Sequence, residues 1–303
     1  MARKASIDIG TNSTRLLVAE INPDHTITPL YAAERITRLG EALSRSGALS
    51  DEAMTRVSQA LAEYRSLAQA YGVEAYHVIA TSATREASNQ AFFLRKMAQE
   101  TGFRVSVVTG ETEAYLSFIG ALHDQPAECE ALVCDIGGGS AEFVMGRRGR
   151  MRLAASLPLG SRRLTETLFL SERPVEQAAA EAGRYCRQEL DRRFSGAAHP
   201  KQGLACGGTA TTLAMMATRT PLHEAEKIHG YWLTQEELAA VLHELAARSI
   251  PERQKMIGLH PMRADVILAG AVILEAIMSY WQLTEMRISL ADLLYGVLLQ
   301  EGQ

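Results

Sequence analysis

Residues 133–143 read Val-Cys-Asp-Ile-Gly-Gly-Gly-Ser-Ala-Glu-Phe, so two carboxylates, Asp135 and Glu142, bracket three glycines and a serine directly after an apolar run. Each glycine weakens a regular element by about 0.5–1 kcal/mol relative to alanine, so Gly137, Gly138 and Gly139 in a row need a compensating reason. One reason is a tight hairpin, in which glycines supply positive φ angles between strands at 131–136 and 141–145. The other is chemical. A glycine-rich turn lets backbone N–H groups approach an anion, and flanking acids can hold a metal that neutralises it.

The pattern occurs twice. Residues 6–21 (SIDIGTNSTRLLVAEI) and 133–147 (VCDIGGGSAEFVMGR) share an aspartate, Ile, Gly, two small residues, Ser and then an apolar strand, and Asp8 and Asp135 stand 127 residues apart. That offset is one domain length, so the chain reads as a duplication. The elements that follow support it. The first half predicts strands near 5–10, 14–21 and 26–36, and a helix from Ser50, a candidate N-cap, to Tyr71. A strand at 76–81, a helix at 88–101, a strand at 104–109 and a helix at 111–123 complete it. The second half predicts strands near 130–136, 140–146 and 150–156, helical sequence over 161–194, a strand at 202–206 and a helix from Thr209. A helical insertion follows (about 217–284, with helices at 234–248 and 262–282), then a strand at 286–290 and a last helix to about 300. Strands alternating with helices predict an α/β fold with a largely parallel sheet and ligands at the strand carboxyl ends. The expected domains are 1–124 and 125–303, with the last helix able to pack back near the first, and both aspartate–glycine turns lining a central cleft. A recurring turn of this kind favours phosphate binding over a chance hairpin.

Composition bounds the rest. The 303 residues are 47% hydrophobic and 22% charged, which suits two globular domains. The net charge of −4 argues against a nucleic-acid binder. The N-terminus lacks an apolar leader, and the most apolar run, 266–274, is too short for a membrane span and reads as a buried helix. Cys129, Cys134, Cys186 and Cys206 have neither CxxC nor zinc-site spacing, so a reducing cytoplasm is the expected setting.

An ordered motif set covers nearly the whole chain: DIGTNSTRLLV (8–18), ATSATREASN (80–89), GETEAYLSFIG (110–120), DIGGGSAEF (135–143), SLPLGSRRLTE (156–166), CGGTATTLA (206–214) and the tail from HGYWLTQEEL through HPMRADVILAG. It resembles the exopolyphosphatase/guanosine pentaphosphate phosphatase (Ppx/GppA) family. The resemblance implies two duplicated RNase H-like domains of the actin, sugar kinase and Hsp70 superfamily. It implies a hydrolase that releases terminal orthophosphate from inorganic polyphosphate, or alternatively the 5′-phosphate of guanosine pentaphosphate, with Mg²⁺ or Mn²⁺ as cofactor. A homodimer fits the resemblance; a membrane or nucleic-acid partner does not. Longer relatives carry a helical extension, and a chain ending at Gln303 resembles the short form.

The resemblance also assigns residues. The family's paired glutamates appear here as Glu111-Thr112-Glu113, which selects Glu113 as the catalytic acid–base with Glu111 as understudy. Arg15 and Arg85 match family positions, and a planar guanidinium suits two phosphate oxygens at once. Asp8 and Asp135, at equivalent strand ends, are expected to ligate the metal, with Glu142 either joining them or facing solvent. The backbones of Gly10, Thr11, Asn12 and Ser13, of Gly137, Gly138, Gly139 and Ser140, and of Gly207, Gly208 and Thr209 are expected to bind phosphate. The last set opens a helix, whose N-terminus favours anions. Cys134 reads as a small core residue. The basic residues Arg147, Arg148, Arg162 and Arg163 read as solvated surface or as local attraction for a polyphosphate chain. The rival functions are a kinase on the same scaffold and a guanosine polyphosphate sensor without turnover; release of orthophosphate without an acceptor separates all three.

Overall fold

The computed structural model describes residues 2–24, 26–169 and 174–300. The chain divides into two compact units, Met1–Gly120 with Leu293–Gln303, and Ala121–Asp292.

The first unit holds strands β1 (Ala2–Ile9), β2 (Thr14–Ile21), β3 (Ile27–Arg35), β4 (Ala75–Ala80) and β5 (Ser106–Val107) in the sheet order β3-β2-β1-β4-β5. β1, β2 and β3 are antiparallel, whereas β4 and β5 run parallel to β1. Its helices are α1 (Leu43–Ser46), α2 (Asp51–Ala70), α3 (Ser82–Glu86), α4 (Gln90–Thr101) and α5 (Gly110–Ala121), joined by α12 (Leu293–Gln300) from the end of the chain. Side chains alternate along a strand, so β2 serves two layers. Leu16 and Val18 pack with Met54, Val57 and Leu61 of α2, while Leu17 and Ala19 pack with Leu294 and Leu298 of α12. α2 begins where Ser50 Oγ accepts the Ala53 N–H at 3.2 Å, with Asp51 and Glu52 complementing the helix dipole. α12 and α5 cross at Gly296, where a Cβ would lie 1.9 Å from the Leu116 carbonyl oxygen, so only glycine permits that approach. The sequence reading counts α12 with the C-terminal half; its contacts put it with the first unit.

The second unit holds β6 (Ala131–Ile136), β7 (Ala141–Arg147), β8 (Arg150–Leu157), β9 (Gly203–Cys206), β10 (Trp232–Thr234) and β11 (Glu285–Ile288), in the order β10-β11-β9-β6-β7-β8. Read from the other edge, β8-β7-β6-β9-β11 repeats the first sheet strand for strand, with β10 added antiparallel at the rim. The duplicated α/β fold expected from the sequence is therefore present, as two RNase H-like units, but each sheet is mixed and not largely parallel, because the three strands at the start of each half form antiparallel hairpins. Its helices are α6 (Ser161–Leu164), α7 (Val175–Phe194), α8 (Gly207–Thr218), α9 (Gln235–Ala246), α10 (Ile250–Arg253) and α11 (Ile267–Tyr280). α11 is apolar on nearly every face and is accordingly buried, packing against α7, α8 and α9. Phe194 of α7 meets Phe143 of β7 and Trp281 at ring-centroid distances of 5.5 and 5.4 Å, contacts worth about 0.5–1.5 kcal/mol each beyond their burial. Among the described residues no helix is long and apolar enough to cross a membrane.

Several boundaries differ from the sequence reading. The expected strand at 104–109 shrinks to two residues, and the helix at 88–101 is preceded by the separate α3. The helical stretch 161–194 breaks into α6, a π-turned segment Thr165–Phe169 and α7, which Pro174 precedes; residues 170–173 of that expectation lie outside the described residues.

A polar knot follows α5 in the second unit. His229 Nε2 donates to Asp124 Oδ2 at 2.7 Å, and His229 Nδ1 accepts the Leu290 N–H at 3.1 Å, which assigns the neutral Nε2–H tautomer. The His229 hydrogen bond holds the Asp124 carboxyl well below the usual carboxylate range. A carboxyl depressed on folding stabilises above its unfolded pKa, about 3.9, and that stability is lost as pH falls through the folded value. Asp124→Asn is accordingly expected to lower the melting temperature at pH 7, with the gap to wild type closing as pH is lowered below about 4. A gap independent of pH would contradict this.

Candidate active site

The two duplicated turns have one construction. In the first unit Asp8, next to the last residue of β1, lies directly opposite Arg15 of β2, and the Gly10 N–H closes the hairpin on the Ser13 carbonyl at 2.9 Å. In the second, Asp135, next to the last residue of β6, lies opposite Glu142 of β7, and the Gly137 N–H reaches the Ser140 carbonyl at 3.0 Å. Both turns are hairpins, yet none of Gly10, Gly137, Gly138 or Gly139 has a positive φ, which removes the first of the two reasons weighed for the glycines and leaves the anion-binding one. A second segment packs against each turn. Gly160 packs so closely behind the turn that a Cβ there would lie 2.3 Å from the Gly138 carbonyl oxygen, and Gly40 likewise meets the Thr11 side chain at 2.3 Å.

The backing segments aim the turns. The N–H groups of Ser161 and Arg162 donate to the carbonyls of Gly137 and Gly138 at 3.0 and 2.9 Å, and Arg163 Nε donates to the Gly139 carbonyl at 2.7 Å. Among the described residues no peptide bond is cis, so each N–H points opposite to the carbonyl of its own peptide unit. The N–H groups of Gly138, Gly139 and Ser140 therefore all face away from α6, as a concave set of donors suited to an oxyanion. In the first unit the Gly40 and Arg38 N–H groups hold the carbonyls of Thr11 and Asn12 at 2.8 and 2.9 Å, which aims the N–H groups of Asn12 and Ser13 outward in the same way.

A third anion-facing element is the start of α8. Gly207 has φ +79°, and its missing Cβ leaves the space that Asp135 Oδ1 occupies, 2.1 Å from where that carbon would be. Asp135 thus stands at the N-terminus of α8, where the helix dipole favours a carboxylate. Gly208 makes room for the buried Arg263, whose Nη atoms would lie 2.3 Å from a Cβ, and Thr209 is buried beside Gly270.

The carboxylates differ in their surroundings. Asp8 is ion-paired to Arg15, with Nη2 at 2.8 Å and Nε at 3.2 Å from Oδ2. Arg15, expected to bind phosphate, thus lies against the expected metal ligand. Asp135 and Glu142 are cross-strand partners on one face of the sheet, 7% and 2% exposed, and Glu142 Oε1 accepts from Ser156 Oγ at 2.7 Å. Glu142 is therefore buried, which removes the solvent-facing reading. Among the described residues no group of three or more His, Cys, Asp or Glu side chains converges; the structure brings together Asp135 and Glu142 of the expected trio.

Glu113 sits in the first turn of α5, buried, while Glu111 two positions earlier is exposed. Arg85 of α3 donates through Nη1 to Glu113 Oε2 at 3.0 Å and to the Val108 carbonyl at 2.8 Å, and so braces the glutamate from the neighbouring element. Cys134 is a core residue whose thiol burial pushes up.

The basic residues expected to attract a chain of phosphates are already engaged. Arg147 pairs with Glu128, and Arg148 Nη2 donates to the carbonyls of Leu122, His123 and Gln125 at 3.0, 2.6 and 2.7 Å. Arg162 is buried against Asp265 at 3.1 Å, and Arg163 holds the glycine turn. They are structural, not a free basic track. The sequence reading also missed Gly40, Gly160 and Arg263. The first two carried a signal, since Leu39–Gly40 and Leu159–Gly160 each follow the third strand of their half.

The family model for the Ppx/GppA phosphatases matches residues 17–302. The chain belongs to that family. A bifunctional 3-dehydroquinate synthase/phosphatase of Fusobacterium nucleatum is 34% identical over 308 aligned positions, covering 98% of this chain; the chain spans 46% of the length of that relative. Exopolyphosphatase 2 of Mycobacterium tuberculosis is 32% identical over 316 positions, covering 99% of this chain and 98% of that protein. The crystal structure of the Aquifex aeolicus Ppx/GppA family member superposes with a TM-score of 0.82 at 32% identity, over 99% of this chain and 97% of that one.

The Ppx/GppA turn depends on Gly160. Gly160→Ala forces the Gly138–Gly139 backbone to move, an overpacking that costs about 1–3 kcal/mol, and is expected to lower both melting temperature and phosphatase kcat/KM. A variant with wild-type kcat/KM would show that the turn's placement is not required.

Proposed function

We infer that this chain is an exopolyphosphatase-type phosphoanhydride hydrolase that releases terminal orthophosphate from inorganic polyphosphate. The observation that carries the reading is the pair of duplicated aspartate–glycine hairpins, whose carbonyls are held from behind while their N–H groups face outward. Exopolyphosphatases of the same family and nearly the same length support the substrate class. The turn N–H groups and the α8 N-terminus hold phosphate oxygens. Glu113 takes the proton of the attacking water, with Arg85 fixing its carboxylate. Phosphoryl transfer asks mainly for such positioned charges and an aligned nucleophile.

A divalent cation, Mg²⁺ or Mn²⁺, belongs to the proposal. Two buried carboxylates placed directly opposite on paired strands repel each other, and an oxygen-ligated cation relieves that repulsion. The residues that fit it are Asp135 and Glu142, cross-strand partners in the second unit, as ligands. When bound, the ion supplies charge neutralisation for the phosphate oxygens. The proposed setting is a reducing cytoplasm, supported by four free cysteine thiols, with a homodimer as the proposed assembly.

The reading is tested by orthophosphate release from polyphosphate, guanosine pentaphosphate and ATP measured side by side. The highest kcat/KM is expected for polyphosphate; a higher value for guanosine pentaphosphate would replace it with the 5′-phosphohydrolase reading.

A further inference from the structure

The carboxyl end of β4 leads into α3 and Arg85; its amino end, five residue steps or about 16 Å away, opens on a cavity of about 310 Å³ lined by Arg65, Gln69, Glu74, Tyr76, Phe103 and Arg104. We propose that this cavity is a second binding site, which takes a small organic ligand carrying one oxyanion group, a phosphate monoester or a carboxylate, on the guanidinium groups of Arg65 and Arg104.

Arg65 is already shaped for that task. Its guanidinium carbon lies 4.2 Å from the centre of the Phe103 ring, which fixes the plane of the fork. Gly102, in the left-handed conformation at φ +71°, leaves the guanidinium its room; a Cβ there would stand 3.3 Å from Nη2. The Nε atom is buried and has no hydrogen-bond partner. Among the described residues no carboxylate pairs with Arg65 or with the exposed Arg104. Other arginines nearby behave differently, since Arg56 on the same helix pairs with Glu41, and Arg35 pairs with Glu63. A planar donor held in place before the ligand arrives loses little freedom on binding, and its geometry matches two oxygens of a phosphate or carboxylate.

The rest of the wall defines the ligand. Glu74 offsets one of the two positive charges, so the cavity carries a net charge of one and favours a single oxyanion over a polyphosphate chain. The half-buried Tyr76 ring, 5.3 Å from the buried Phe103 ring behind it, offers an apolar surface to the organic body. The site stands independently of the hydrolase reading, because no residue of the duplicated turns takes part.

Nuclear magnetic resonance titration of the isotope-labelled full chain with phenylphosphonate and with benzoate tests it, since the two probes share a ring and differ in the oxyanion. Saturable shifts of the Gly102, Phe103 and Arg104 amides are expected. Arg65→Gln is expected to raise the dissociation constant about ten- to a hundredfold, the loss of a charged hydrogen-bond donor. Arg104→Gln, at an exposed position that leaves the fold unchanged, is expected to weaken the same binding. Shifts with phenylphosphonate alone identify a phosphate monoester as the ligand class, and shifts with benzoate alone a carboxylate. No shift of these amides with either probe, or unchanged affinity in both variants, overturns the proposal.

Discussion

Glu113→Gln is expected to lower kcat at saturating polyphosphate by about 10²–10⁴, the usual cost of removing a general base, while Glu111→Gln leaves it close to wild type. The two glutamates lie two positions apart, which on a helix separates side chains by about 200°. Only one is turned inward: Glu113 is buried and receives Arg85 Nη1 at 3.0 Å, whereas Glu111 is exposed. Glutamine keeps the shape and an oxygen acceptor for Arg85 but cannot take a proton. The change should therefore appear in kcat more than in melting temperature. Helix-end charges act in the opposite sense, being worth about 0.3–1 kcal/mol of stability and little turnover. Inactivity of Glu111→Gln, or activity of both variants, would remove Glu113 from its role.

Chelation is expected to have an effect at least as large. The wild-type chain stripped of metal in excess EDTA should release no orthophosphate and should recover on addition of Mg²⁺ or Mn²⁺. Asp135→Asn provides a readout besides activity, because asparagine keeps the shape and removes the charge that the cation would meet beside Glu142 across the β6–β7 pair. Calorimetric titration of this variant with Mn²⁺ should show weaker binding than wild type. Full activity in EDTA, or unchanged Mn²⁺ affinity in Asp135→Asn, would dismiss the metal.

Local patterns told most about the fold. The motif shared by Asp8 and Asp135 disclosed the duplication, because equivalent hairpins need equivalent residues. The apolar run at 266–274 disclosed the buried α11, and Ser50 with Asp51 and Glu52 disclosed the start of α2. The bounds of short or interrupted elements were not legible. β5 and β10 are two and three residues long, and α6 gives way to a π-turned segment that carries no separate pattern. At the site, residue types were legible but their engagements were not. Arg147, Arg148, Arg162 and Arg163 look alike on paper, and only the fold shows that each is already held by a carboxylate or a carbonyl. Gly160 escaped notice because its reason is a close approach across space to Gly138 and Gly139. The same holds for Arg15, whose partner Asp8 becomes its neighbour only once the hairpin forms.

The central claim is that the chain transfers a terminal phosphoryl group to water. It is tested most directly by incubating the metal-loaded wild-type protein with polyphosphate in ¹⁸O-labelled water, without any acceptor, and weighing the released orthophosphate by mass spectrometry. The account predicts orthophosphate carrying one ¹⁸O atom per turnover, with its release abolished in Glu113→Gln. Binding of polyphosphate without release, or release only when an alcohol acceptor is added, would contradict it.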